Sequence, residues 1–117
     1  MYEIREVIVN NRDEQRSIFV IHFSDSKYDI VGEYLMTDAP MMSYKILEDI
    51  ESVLNGEQEV AQVSGNRCAL QITKELTKIE DLFDGLFDDL DTYPSVEIET
   101  SLLKDLIEMW KEKTSSD

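Results

Sequence analysis

The chain has one cysteine, Cys68, in 117 residues, which excludes an internal disulfide and leaves no thiolate-rich metal site to build. It has one histidine, His22, and its four glycines form no phosphate-cradling loop. No basic patch with interleaved aromatics offers nucleic acid a footing. No apolar run approaches the roughly eighteen residues that a membrane-spanning helix needs, and the opening MYEIREVIVN lacks a basic stretch followed by an apolar one. Neither export nor membrane insertion is indicated, and a reducing, cytoplasmic setting is expected. Positive charge is also scarce: 11 Lys and Arg face 26 Asp and Glu, a net charge of −15.

What is present is enough for a core. The chain is 42% hydrophobic and 9% aromatic, a composition of folded domains rather than of disordered acidic tails, so residues 1–117 are expected to form a single domain. A charge of −15 lies well outside the magnitude of roughly 2 to 8 that keeps a small domain soluble. Such a field repels nucleic acid and anionic membranes and speeds the capture of a cationic protein.

Alternation and turn residues divide the chain. YEIREVIVN and RSIFVIHF read as strands joined by the polar residues 10–14, and YDIVGEYLM, rich in β-branched and aromatic residues, reads as a third. From Pro40, the apolar residues Met42, Ile46, Leu47, Ile50, Val53 and Leu54 recur at helical spacing until Asn55-Gly56 stops the helix. EVAQV and RCALQIT form a hairpin around Ser64-Gly65-Asn66, with Cys68 packed as a small apolar residue. VEIE is a short strand, and Thr100 caps a last helix whose apolar face is Leu102, Leu103, Leu106, Ile107 and Trp110. The fold class expected is α+β, an antiparallel sheet of about five to six strands with two or three helices packed on it.

Residues 79–99 hold eight acids, Glu80, Asp81, Asp84, Asp88, Asp89, Asp91, Glu97 and Glu99, without one Lys or Arg. Ile79, Leu82, Phe83, Leu86, Phe87 and Leu90 match a helical stripe, and Thr77-Lys78-Ile79-Glu80 has the spacing of a capping box, which favours a helix over residues 79–91. Gly85 weakens that reading, and the alternative is a strand from Thr77 toward Phe83 followed by an acidic loop. Either way the carboxylates face solvent.

Nothing local supports catalysis. His22 stands alone in an apolar strand without a partner at motif spacing, and Cys68 is equally isolated. The acids around Gly85 do not follow the alternating ligand pattern of a calcium loop, so no metal, cofactor or catalytic residue is expected. A binding protein remains. Its candidate partner-binding residues are Glu80, Asp81, Asp84, Asp88, Asp89 and Asp91, with Phe83, Phe87 and Tyr93 as aromatic anchors among them.

In size, in acidity, and in the run where GNRCALQIT leads into TKIEDLF and then VEIETSLLKDLIEMW, the chain resembles bacterial immunity proteins, which are paired with secreted toxins or with those of contact-dependent growth inhibition. The resemblance implies an inhibitor that covers the active site or substrate groove of a cognate basic toxin domain, with a nuclease as the expected target, and that carries out no reaction. The alternative from a different class is an acidic mimic of nucleic acid, or a regulatory adaptor, acting on a basic host protein.

Overall fold

A computed structural model describes residues 2–83 and 92–114. Among these residues period-two alternation produces six strands, and every pairing between them is antiparallel. Strands β1 (Tyr2–Asn11) and β2 (Glu14–Phe23) form a long hairpin with Tyr2 opposite Phe23 and Asn11 opposite Glu14. Its turn is Arg12-Asp13, where Arg12 takes a positive φ of 55°. The other four, β3 (Ala61–Ser64), β4 (Cys68–Ile72), β5 (Leu76–Asp81) and β6 (Val96–Glu99), make a second sheet in sequence order. The α+β expectation holds, with the six strands divided between two sheets.

The segment read as a third strand is a helix, α1 (Asp29–Met36). Its buried residues pair at helical spacing, Ile30 with Tyr34 and Val31 with Leu35, so one face of the helix enters the core. The β-branched and aromatic residues had suggested a strand. Here Gly32 lies against β2, where an added Cβ would sit 3.5 Å from the Ile21 carbonyl oxygen, so the small residue brings helix and hairpin close together. Asp25 prepares the entry by accepting from the Lys27 N–H at 3.1 Å in the 3₁₀ turn Ser26–Tyr28.

The helix expected from Pro40 onward is interrupted. A single turn, α2 (Asp38–Met41), contains Pro40 near its start, where its missing N–H costs nothing. Ser43 and Tyr44 then adopt positive φ values of 56° and 59°, and α3 (Ile46–Leu54) begins after them. The stop at Asn55-Gly56 is as expected. Gly56 has a φ of 82°, and the Gly56 and Glu57 N–H groups donate to the Val53 and Ser52 carbonyls, the paired bonds of a Schellman cap.

One face of the four-stranded sheet is the core. Cys68, Leu70, Ile72, Thr77, Ile79, Val96 and Ile98 point inward, where α1, α3 and the last helix, α4 (Thr100–Thr114), pack against them. Thr100 opens α4, and its hydroxyl donates to the Thr73 carbonyl at 2.6 Å and lies 2.8 Å from Thr77 Oγ1. It thereby ties the helix start to β5 and the preceding turn. Among the described residues no helix is long and apolar enough to cross a membrane. Trp110 is 3% exposed, so Trp110→Ala should cost about 3–5 kcal/mol of stability, readable as a shifted urea midpoint with an unchanged far-ultraviolet spectrum.

Candidate partner-binding site

The acidic segment begins at the end of β5, whose position follows from its register on β4. Leu70 pairs with Ile79 and Cys68 with Asp81, which makes residues 76–81 a strand and corrects the helical reading for that part. Cross-strand pairing and burial of Ile79 outweigh the capping-box spacing. Residues 84–91 lie outside the described residues.

Because Asp81 alternates with Ile79 and Thr77, it points inward and is 5% exposed. Arg67, one residue before β4, reaches it with Nε at 2.9 Å and Nη2 at 2.9 Å. The Phe83 N–H donates to Asp81 Oδ1 at 3.0 Å and the Tyr93 N–H to Oδ2 at 3.0 Å. One carboxylate thus holds the chain on both sides of the acidic segment. The Arg67 guanidinium carbon lies 4.7 Å from the Phe83 ring centre and 5.3 Å from that of Tyr93, within cation–π range of both.

This clamp rests on a second buried acid. Asp38, 1% exposed in α2, accepts the Cys68 N–H at 2.8 Å and the Arg67 N–H at 3.1 Å. Gly65 is required by the same contact, since a Cβ there would come within 2.7 Å of Asp38 Oδ2. Cys68 is fully buried, and burial first, then the nearby charges of Asp38 and Asp81, push its thiol up to about 12. It is a packed core residue and no nucleophile at neutral pH.

Among the described residues no helix packs on the sheet's other face. Its transverse rows run Gln62, Gln71, Lys78, Glu97 and Ser64, Ala69, Glu80, with Leu76 opposite Glu99. A shallow concavity of about 500 Å³ opens here, lined by Gln62, Ser64, Gln71, Lys78 and Glu80. Glu80 pairs with Lys78 at 2.9 Å, both side chains about half exposed. Such a pair contributes little to stability and leaves both groups open to exchange partners.

Of the six acids expected to bind a partner, Glu80 therefore lies on the open face and Asp81 lies inside the clamp. Asp84, Asp88, Asp89 and Asp91 lie outside the described residues. The structure adds Glu97 and Glu99, exposed on the same face as Glu80; strand alternation was the signal for them. His22 is exposed on β2 and lines a second concavity of about 190 Å³ with Asp29, Glu33 and Tyr93. Among the described residues no cluster of His, Cys, Asp and Glu could hold a metal ion.

A curated protein of Bacillus cereus named "Immunity protein" is 44% identical to this chain over 70 residues. The resemblance to an immunity protein is borne out. That match covers 58% of this chain and 55% of the relative, so the chain spans about half the length of the curated relative it matches. No family model matches the chain, and no solved structure matches it significantly.

Asp81 supplies a test of the clamp. Burial disfavours its charged form, but the Arg67 guanidinium and the Tyr93 and Phe83 N–H groups outweigh burial and hold its pKa below the ordinary value. A depressed carboxylate pKa stabilises the fold above the ordinary carboxylate range, and that contribution disappears as pH falls through the folded-state pKa. Asp81→Asn should cost roughly 2–3 kcal/mol at neutral pH, the scale of removing a charged acceptor from buried donors. In urea titrations at successive pH values, the gap between parent and variant should narrow on the acid side; a constant gap would show that the charge is not what matters.

Proposed function

We propose that this chain is the immunity partner of a toxin and binds a basic toxin domain, a nuclease in the favoured reading, without catalysing a reaction. The observation that carries the proposal is the 44% identity to a curated immunity protein in a chain of net charge −15. The binding residues in this reading are Glu80, Glu97 and Glu99 on the open face, together with Asp84, Asp88, Asp89 and Asp91, which lie outside the described residues. Asp81 acts with them as a positioning residue, because its bonds to Phe83 and Tyr93 hold the two ends of the acidic segment at one point. Preorganised ends reduce the ordering cost of binding.

Physically, the field of the acids steers a cationic domain toward this side, and close ion pairs to Arg or Lys then set its register. Carboxylates presented in rows along a sheet can occupy the places that phosphates take in a nuclease groove, which blocks substrate without any bond being made or broken. Binding to a cytoplasmic toxin domain requires no cofactor.

The test is co-purification of the tagged chain with the product of the adjacent gene, followed by titration at increasing salt. Affinity should fall with ionic strength. Replacing Asp84, Asp88 and Asp89 together with Asn should weaken binding and flatten its salt dependence, because fewer charges take part. Unchanged affinity at every ionic strength would remove the acidic segment from the interface, and failure to bind any basic product of the neighbouring genes would overturn the proposal.

A further inference from the structure

The β1–β2 hairpin differs from the rest of the molecule in three ways. Beyond its base it leaves large apolar side chains in water: Ile8 is 62% exposed, Ile18 46%, and Val7 and Val9 40% each. Register puts Val7 opposite Ile18 with Val9 two residues along the same face, so these three form one outward apolar stripe, flanked by Arg5 and Arg16. Second, among the described residues β1 pairs with β2 alone. A ten-residue strand with an open edge is a template for another strand, and the part of a two-stranded ribbon that extends beyond its packed base is marginal in water. Third, residues 2–23 carry three of the chain's four arginines against four acids, a net −1, which leaves −14 on the remainder.

From these we infer that the edge of β1 pairs antiparallel with β1 of a second copy of this chain, making a four-stranded sheet across a two-fold axis. The charge distribution selects this occupant. At net −1 the hairpin attracts a cationic partner far less than the −14 remainder does, whereas two copies can meet there with their −14 remainders held apart.

The register follows from the sequence of β1. A symmetric antiparallel pair centres on one residue and its own copy. Centring on Arg5 or Glu6 opposes like charges, which is unfavourable. Centring on Val7 sets Glu6 against Ile8 of the second copy, Arg5 against Val9 and Ile4 against Asn10, with no like charges opposed. Centring on Ile8 also avoids like charges but shortens the ladder. The Val7-centred pairing joins the two valine stripes into one apolar surface. Strands of this length run roughly 34 Å, and a ribbon that narrow contributes less than the roughly 800 Å² per partner of a typical stable interface. The dimer is therefore weak and concentration-dependent.

Sedimentation equilibrium of the full chain tests this. Dimer population should rise with salt, because screening relieves repulsion between the remainders; toxin binding, under the function proposed above, changes with salt in the opposite direction, so the two ideas fail separately. V7K lowers the net negative charge yet should weaken association by about tenfold or more, because Lys meets Lys at the axis. V7E should do the same. An equimolar mixture of the V7K and V7E chains should recover the parent's association. Val7 is exposed, and thermal melting of each variant confirms that the monomer is folded. A parent that stays monomeric at every salt concentration, a V7K chain that still dimerises, or a mixture that stays monomeric overturns the inference.

Discussion

A carboxylate has about four hydrogen-bonding positions, and Asp81 has all of them filled, two by Arg67 and two by the N–H groups of Phe83 and Tyr93. No position is left over for an external cation. What the group does is hold together three parts of the chain: the turn before β4, the end of β5, and the approach to β6. Its inward orientation is possible because Arg67 supplies the opposite charge with only part of its side chain exposed, so neither group is buried unpaired. Asp38 performs the same kind of work one layer below, fixing the backbone from which Arg67 extends. The acidic surface is thus built on a support whose own key members are acids.

That division changes how the net charge is understood. The value of −15 is a sum over groups of two kinds. Asp38 and Asp81 are buried and matched by backbone N–H groups or by a guanidinium, and they add little to the field a partner meets at the surface. Glu80, Glu97 and Glu99 stand on the open face, where they do contribute. The arginines divide in a corresponding way, one structural at the clamp and three on the hairpin, so the molecule has an acidic body and a nearly neutral arm.

Much of the fold was legible in the sequence because its signals were local. The first hairpin, the β3–β4 hairpin, the VEIE strand, the helix stop at Asn55-Gly56 and the last helix all followed from alternation, turn residues or period-3.6 apolar spacing. Two segments were misread for a physical reason. In YDIVGEYLM the residue types favour a strand, but the pairs Ile30/Tyr34 and Val31/Leu35 have to meet the core on one side, and tertiary packing overrode propensity. From residue 79 the spacing of Ile79, Leu82 and Phe83 imitates a helical stripe, yet a strand gains a full ladder with β4, an interaction invisible to any local template, and β5 runs as in the alternative reading of a strand from Thr77. The helix after Pro40 was recognised in kind but not in extent, since nothing in Ser43-Tyr44 announces two consecutive positive φ angles.

The site was legible only at the level of residue type. Acid density along residues 79–99 pointed to a recognition surface, but density cannot tell an acid that faces a partner from one that faces the core. Alternation can. Once β5 is a strand, Thr77, Ile79 and Asp81 share one side and Lys78 and Glu80 the other, so the first two acids of the segment point in opposite directions although they are neighbours in sequence. The same parity places Glu97 and Glu99 with Glu80. The partner of Asp81 was likewise encoded in the pairing: with Cys68 opposite Asp81, the residue preceding Cys68 is within reach of that carboxylate, and it is an arginine. A single register thus determines which carboxylates support the fold and which remain for a partner.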